Sequence, residues 1–194
     1  MILYQIKGCP FALRTRVVLS EKQLAFDTVY IDPRNKPPEV LTVSPAGLTP
    51  VLYDGALKLR ESAVIDAYLE ERYPQPALMP TSLGARAEVR LAIADLGPLF
   101  GAVGDLFRAT AEARAAAEQK IDAILSSLNA RLAGSTFLVG DALSLADVYL
   151  FAHLVSLARL RGAPLPESLP HLRGWFERVS SRPAVQRALA GAMA

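Results

Sequence analysis

The most chemically distinctive residue in this sequence is Cys9, the only cysteine among 194 residues. It lies in the segment KGCPFALRTRVVLSEK, residues 7–22, where a predicted strand gives way to a predicted helix. The N-terminus of a helix stabilises a thiolate, because unpaired N–H groups and the helix dipole present positive charge there. Pro10 suits the first helical turn, and Arg14 and Arg16 would add positive potential if they face the same side. We therefore predict a reactive thiol, although a lone cysteine is more often a small buried packing residue.

The residue three places after Cys9 defines the kind of thiol chemistry that is possible. Thioredoxin-type redox helices carry a second cysteine there, and this sequence has Ala12. No internal disulfide can close, so a second thiol from solution must resolve any mixed disulfide on Cys9. In the cytosol the expected thiol is glutathione.

The composition excludes several other classes of function. The chain is 52% apolar and 21% charged, which is typical of a soluble globular protein, and its net charge of +2 predicts no nucleic-acid or membrane partner. Its most apolar stretch, LADVYLFAHLVSLARL, is interrupted by Asp147, His153 and Arg159 before it reaches membrane-spanning length. No signal peptide is evident, which predicts a cytoplasmic protein. His153 and His171 lack metal-ligand spacing, so no metal site is expected.

Alternating periodicities in the first eighty residues predict a domain of strands and helices. The Asp54-Gly55 pair is a strong hairpin signal between two apolar runs. The predicted elements are a strand over 1–6, a helix from Pro10 to about Lys22, a strand over 25–32, a short helix from Pro38 to Val43, a strand pair in PVLYDGALKLR and a helix in ESAVIDAYLEERYP. This order predicts an α/β domain with a partly antiparallel sheet.

A proline-rich linker, residues 74–82, separates this domain from a region that is helical throughout. Ser144 is a predicted N-cap, and Asp147 completes a variant of the capping box, so we assign both a structural role. The predicted helices are a run from Leu83 to Arg108 with glycines at 97, 101 and 104, a segment over 112–134, the helix after Ser144, and a last helix from Leu169 to about Leu189. We predict two domains, an α/β domain over 1–75 and an all-α domain over 83–194.

Four segments of the chain resemble the cytosolic glutathione transferase family. They are CPFALRTRVVL, NKPPEVLTVSPAGLTPVL, RESAVIDAYLEERYP and FLVGDALSLADVYL. The Cys-Pro-Phe opening is similar to the cysteine-type, omega-like members of that family. The resemblance implies a thioredoxin-like first domain that binds glutathione, a helical second domain that offers the co-substrate pocket, and a homodimer.

The resemblance also implies roles for residues near Cys9. Pro50 matches the family's cis-proline, and the backbone of Thr49 would pair with the cysteinyl unit of glutathione as an added strand. Phe11 would pack beside the thiol and restrict access to it. Pro50 could instead be an ordinary trans turn proline, since cis is the minority state of X-Pro bonds.

Three further residues match the positions that hold the two ends of glutathione. Ser62 would bind the γ-glutamyl carboxylate and Glu61 the ammonium group, and Lys36 would lie near the glycyl carboxylate. Glu61 and Ser62 are also an ordinary helix start, and Lys36 could be a solvated loop charge.

Two functions from different classes follow. The first is an enzyme with glutathione as co-substrate and no metal: a glutathione transferase whose Cys9 attacks a glutathione mixed disulfide or a dehydroascorbate-like oxidant. Conjugation of glutathione to an electrophile is a weaker possibility. The second is a non-catalytic binding protein, because NKPPEVL and YPQPALMP also look like stringent starvation protein A, which associates with RNA polymerase.

Overall fold

The computed structural model describes residues 1–193, which form two compact units. The first unit comprises residues 1–78 together with the residues after Ser181, and the second comprises residues 79–181. In chain order the elements are β1 (Ile2–Gln5), α1 (Pro10–Glu21), β2 (Asp27–Tyr30), α2 (Pro38–Val43), β3 (Val51–Asp54), β4 (Leu57–Arg60), α3 (Ser62–Arg72), α4 (Leu83–Asp95), α5 (Gly97–Arg108), α6 (Ala111–Arg131), α7 (Leu145–Arg161), α8 (Pro170–Ser180) and α9 (Pro183–Met193).

The first unit contains a four-stranded mixed sheet in the order β2-β1-β3-β4. Strands β1 and β2 are parallel, and β3 is antiparallel to both β1 and β4. The predicted hairpin is confirmed: Asp54 pairs with Leu57 across a two-residue loop, and Gly55 has a φ of +60°. Glycine suits that position because it adopts positive φ at little cost. This partly antiparallel sheet with flanking helices confirms the predicted α/β class.

Helix α1 is the central helix of the first unit, and every residue from Ala12 to Glu21 is buried. It packs against α3 and α9. Its apolar residues Leu13, Val17 and Val18 supply core contacts, while its buried polar residues have partners of their own. The Thr15 hydroxyl, for example, donates to the Asp66 carboxylate of α3 at 2.7 Å.

A buried ion pair joins the end of α1 to α3. Lys22 Nζ lies 2.6 Å from Glu70 Oε2 and also donates to the carbonyls of Tyr73 and Pro76, at 2.7 and 3.1 Å. The second partner, Glu70, accepts from the backbone N–H of Leu78. These bonds fix the chain segment that follows α3, and the Gln75–Pro76 peptide within it is cis.

The second unit is helical and differs from the prediction at one break. The expected run from Leu83 to Arg108 is two helices, because α4 ends at Asp95 and α5 begins at Gly97. Pro98 explains the break, since proline lacks the N–H that a continuous helix needs. The long segment over 112–134 is α6.

The expected last helix, Leu169 to Leu189, is also two helices. Pro183 starts α9 after α8 has ended at Ser180, for the same reason. Helix α9 packs on α1 in the first unit, whereas the sequence grouped it with the helical domain. The functional division at residues 75 and 83 stays a prediction.

The start of α7 is organised by Asp147, which is fully buried. Its carboxylate accepts from the backbone N–H of Leu138 and of Ser144, from the Ser144 hydroxyl, and from Trp175 Nε1, at 2.8 to 3.0 Å. This confirms the capping role predicted for Ser144 and Asp147. Within residues 1–193, no helix has the length and apolar character needed to cross a membrane.

Candidate functional site

The strand register brings three segments to one end of the sheet. Tyr4 of β1 pairs with Val51 of β3, and Val51 pairs with Arg60 of β4. Because neighbouring strands are antiparallel here, the residues after β1, before β3 and after β4 lie side by side. These segments contain Cys9, Thr49–Pro50 and Glu61–Ser62.

Cys9 is the N-cap residue of α1, as the sequence predicted. Its backbone N–H donates to the Ile6 carbonyl at 3.3 Å, and its own carbonyl accepts from Leu13 at 3.0 Å. The half-buried thiol donates to the Thr49 carbonyl, with 3.8 Å between sulfur and oxygen. The sulfur of Cys9 therefore faces the backbone of the residue before Pro50.

The Thr49–Pro50 peptide is cis, as the resemblance implied. The turn before it is held by Ser44, whose carbonyl accepts from Gly47 at 2.7 Å and whose hydroxyl accepts from the Leu48 N–H at 3.0 Å. Pro50 is buried and Thr49 is half-buried. This loop thus presents the Thr49 backbone to the thiol.

Lys36 lies across this loop at Gly47. A Cβ atom added to Gly47 would lie 2.5 Å from Lys36 Cδ and 2.7 Å from Nζ, and the φ of Gly47 is +64°. The lysine side chain can therefore occupy its position only because residue 47 is a glycine. Sequence reasoning named Lys36 and missed Gly47, and the loop segment SPAGL was the available signal.

Glu61 has an unusual backbone conformation, with a φ of 63° and a ψ of 107°. It is the N-cap residue of α3, and its carbonyl accepts from Val64 and Ile65, each at 2.9 Å. Ser62 is buried in the first helical turn. Positive φ is strained for a residue with a side chain, and such residues cluster at ligand clamps.

The two arginines of α1 have separate partners. The Arg14 guanidinium stacks on the Phe11 ring, 5.1 Å from its centroid, and its Nε lies 3.7 Å from Asp66 Oδ2. Phe11 itself is 39% exposed. Arg16 instead contacts β2 and α9 through Thr28 and the Ala188 carbonyl. The positive potential expected from both arginines at Cys9 is therefore offset at Arg14 by a buried carboxylate, and Arg16 bonds elsewhere.

The histidines do not form a metal site in the described part of the chain, where no group of His, Cys, Asp and Glu could hold a metal ion. His153 stacks on Phe100 with 3.8 Å between ring centroids, and its Nδ1 lies 2.9 Å from the Tyr149 carbonyl oxygen. It is a packed core residue of the second unit.

Comparison with known families explains this arrangement. Residues 3–77 match the glutathione S-transferase N-terminal domain, and residues 86–183 match the glutathione S-transferase C-terminal domain. The chain belongs to the glutathione S-transferase family. Its mixed four-stranded sheet and its helical unit are those of a glutathione transferase fold.

Curated relatives of this glutathione S-transferase include enzymes and one protein of a different kind. Glutathione S-transferase 3 of Zea mays is 31% identical, over 97% of this chain and 92% of its own. The probable glutathione S-transferase DHAR1, cytosolic, of Oryza sativa subsp. japonica is 29% identical, over 90% and 80% of the two chains. The stringent starvation protein A homolog of Pasteurella multocida is 37% identical, over only 47% of this chain and 43% of its own.

Solved structures of this family match the chain along its whole length. A bacterial transferase described as a ternary complex of BphK is 28% identical, with a TM-score of 0.89 and full coverage of both chains. A sphingomonad glutathione S-transferase complexed with glutathione is 30% identical, with a TM-score of 0.86, covering 99% of this chain and 98% of that one.

Proposed function

We propose that this glutathione S-transferase is a glutathione-dependent thiol oxidoreductase, with thioltransferase or dehydroascorbate-reductase-like activity and Cys9 as its nucleophile. The observation that supports this best is the contact between the Cys9 sulfur and the Thr49 carbonyl, at 3.8 Å beside the cis-Pro50 peptide. It sets the only thiol of the chain against the backbone edge where an extended thiol peptide would pair.

The reaction has two thiol–disulfide exchanges. In the first, the Cys9 thiolate attacks the glutathione sulfur of a mixed disulfide; a new disulfide forms between Cys9 and glutathione, and the other thiol leaves as its thiolate. In the second, a glutathione thiolate attacks the glutathionyl sulfur, which releases glutathione disulfide and restores the Cys9 thiolate. The chain has one cysteine, so the thiol that resolves the Cys9–glutathione disulfide comes from a free glutathione molecule, and one is consumed in each turnover.

Glutathione would lie along the edge formed by the three segments at the end of the sheet. The backbone of Thr49 would pair with the cysteinyl unit, while Ser62 and Glu61 would hold the γ-glutamyl carboxylate and ammonium groups. Lys36, which lies over Gly47 in the same loop, would attract the glycyl carboxylate. The sphingomonad relative, which was solved with glutathione, supports this choice of ligand.

Pairing at Thr49 would also act on the thiol directly. The Thr49 carbonyl now accepts from the Cys9 S–H. An N–H group of the bound cysteinyl unit would take that acceptor, and the thiol proton would lose its partner. Binding of glutathione would thus release the Cys9 sulfur from the Thr49 carbonyl, at the N-terminus of the 12-residue helix α1.

In this proposal the oxidised second substrate binds to the helical unit. The relatives with DHAR in their names support a dehydroascorbate-like oxidant. Conjugation to an electrophile is the weaker alternative, because a cysteine nucleophile favours disulfide exchange over activation of another thiol. Residues 1–75 would bind glutathione and residues 83–194 the co-substrate, in a cytoplasmic homodimer.

The decisive experiment replaces Cys9 with serine. We expect C9S to lose glutathione-linked reduction of a model mixed disulfide, while it still binds a non-reactive glutathione analogue such as S-methylglutathione. Mass spectrometry of the wild type after exposure to oxidised glutathione should locate one glutathionyl group on Cys9. Wild-type protein that fails to bind glutathione at millimolar concentration would exclude the proposal.

A second candidate is a binding protein related to stringent starvation protein A. The match to the Pasteurella homolog, which covers less than half of each chain, favours it. Under this alternative the chain would associate with RNA polymerase and catalyse no thiol exchange. C9S distinguishes the two, because the binding function would survive a substitution that abolishes the enzymatic one.

A further inference from the structure

An open cavity of about 980 Å³ lies in the first unit, around the C-terminal half of α1. Its walls come from that half of α1, from the α1–β2 loop, from Pro76 and from the first turn of α9. Ser20 lies eleven positions after Cys9 along α1, which is about 16 Å along the helix axis at 1.5 Å per residue. This cavity is therefore separate from the candidate glutathione site.

The charged lining of the cavity has an excess of cations. Three arginines, Arg16, Arg182 and Arg187, face one carboxylate, Glu21. That carboxylate is already engaged, because Arg182 donates to both of its oxygens at 2.7 and 2.9 Å. The hydrogen bond with Glu21 raises the pKa of Arg182. Two arginines, Arg16 and Arg187, remain without a carboxylate from the lining.

Arg16 is the more informative of the two, since it is only 5% exposed. Its partners in the described residues are neutral: the Ala188 carbonyl at 3.2 Å, the Thr28 hydroxyl at 2.8 Å and the ring of Phe26. None of the ion pairs found in residues 1–193 includes Arg16. Burial lowers the pKa of Arg16, an effect that Tyr30 partly opposes. A buried charge is costly unless an opposite charge accompanies it.

Arg187 supplies a second cation at the cavity rim. Its side chain is exposed, and its Nη2 donates to the Ser20 carbonyl over a long contact of 3.5 Å. Such a guanidinium remains available to a planar anion, which it can hold with two parallel N–H bonds.

Apart from Ser20 and Gln23, the rest of the lining is apolar. Leu24, Phe26, Pro76 and Ala184 contribute to it, and the volume lies in the range of small-molecule sites. We propose that this cavity binds a small organic carboxylate with a flat apolar body, whose charge is the counter-ion for Arg16 and Arg187. The apolar body would lie against the Phe26 side of the cavity.

The test uses calorimetric titration of the full chain with three probes. 1-Naphthoate has both a negative charge and a flat apolar body. Inorganic phosphate has only the charge, and 1-naphthalenemethanol has only the apolar body. We expect saturable binding of naphthoate at one site, and binding of each of the other two probes at least about tenfold weaker. Equal affinity for phosphate would mean that the site takes any small anion, and would overturn the apolar half of the proposal.

Two variants locate the site without removing the buried arginine. R187Q should weaken naphthoate binding about tenfold, the loss of about 1.4 kcal/mol expected for one charge-assisted bond. A25E places a carboxylate at an exposed position of the cavity lining, where it should compete with naphthoate for the arginines. We expect this variant also to weaken naphthoate binding about tenfold. The matched control is R173Q, which changes a partly exposed arginine on α8 outside the cavity and should leave affinity within about twofold.

Naphthoate affinity that is the same in wild type, R187Q and A25E would overturn the proposal, as would failure of the wild type to bind naphthoate. Glutathione-linked activity is measured in the same samples. We expect it to be unchanged in R187Q and A25E, so the outcome at this cavity does not depend on the function proposed for Cys9.

Discussion

At Gly47 the absence of a side chain decides where Lys36 can lie. The glycine has positive φ, and its α-carbon is covered by the aliphatic part of the lysine. Because of this contact, the Lys36 ammonium group lies beside the loop that ends in the cis Thr49–Pro50 peptide. The role proposed for Lys36 toward the glycyl carboxylate therefore depends on a residue that has no functional group.

G47A tests this dependence. The added Cβ would displace Lys36, and positive φ adds a strain of about 1 to 3 kcal/mol. We expect the KM for glutathione to rise about tenfold through loss of one charged contact, with a smaller change in kcat, as measured by steady-state kinetics.

G55A is the matched control for G47A. Gly55 has a φ of +60°, close to that of Gly47, but nothing lies within 4 Å of the position where its Cβ would be. G55A should thus lose stability from the backbone strain and keep the wild-type KM. An equal rise of KM in both variants would show that strain alone, and not the position of Lys36, is responsible.

At the scale of single residues, the sequence indicates which residues form the candidate site better than it indicates what those residues contact. Cys9 at a helix start follows from local order, and the cis peptide before Pro50 followed from the family resemblance. The positive φ of Glu61 and the contact between Lys36 and Gly47 depend on how distant segments meet, so no local pattern contains them. The partner of Arg14, Asp66, lies 52 positions further along the chain and was missed for the same reason.

At the scale of elements, the buried pair of Lys22 and Glu70 fastens the end of α1 to α3 and to the segment after it. The side chain of Lys22 is 0% exposed and that of Glu70 is 7% exposed. Removal of one partner leaves the other buried without its counter-charge, which typically costs about 3 to 5 kcal/mol.

K22M should therefore lower the free energy of unfolding by about 3 to 5 kcal/mol, as measured by urea denaturation. The double variant K22M/E70M should recover much of that loss, because two apolar side chains of similar length replace the whole pair. A surface control is D105N, which breaks the exposed pair with Arg108 and should change stability little. A loss in D105N as large as that in K22M would contradict the role of burial.

Several element boundaries were predictable from the prolines and glycines that mark them. The short helix Pro38–Val43 and the hairpin at Gly55 are where the sequence placed them. The breaks near Pro98 and at Pro183 also lie at prolines, but the sequence analysis predicted one continuous helix across each of them. Tertiary packing does not override a missing N–H group in either case.

At the scale of the whole molecule, helix α9 is part of the first unit although it is the last helix of the described chain. Val185 and Ala188 of this helix are fully buried, and Arg182 forms its bidentate pair with Glu21 of α1. The core of the first unit is complete only when both ends of the sequence are present.

A chain that stops at Ser181 should accordingly lose its first unit. We expect hydrogen exchange, followed by mass spectrometry, to show faster exchange of the α1 and β1 amides in the truncated chain than in the full one. The α7 amides, which belong to the second unit, serve as the internal reference and should keep their protection. Unchanged protection of α1 would show that α9 contributes little to the first unit.

The proposed homodimer also belongs to this scale. Val64 on α3 and Leu91 on α4 are large exposed apolar residues, 52% and 63% accessible. V64E and L91E should each shift the sedimentation coefficient from dimer toward monomer, because a buried charge opposes association. F107E, at another exposed apolar residue, is the control expected to leave the assembly unchanged. A wild-type protein that sediments as a monomer would reject the dimer.

The position of α9 also bears on how the protein is made. Residues 79–181 are synthesised between the two parts of the first unit. At about 5 to 20 residues per second, roughly 5 to 20 s pass on the ribosome between the emergence of α3 and that of α9. During that interval the side of α1 that packs on α9 has no native partner, whereas the helical unit has its full sequence before α9 is translated. The second unit to be made is therefore the first that can finish folding, and the α9-facing side of α1 stays accessible to chaperones until α9 has been made.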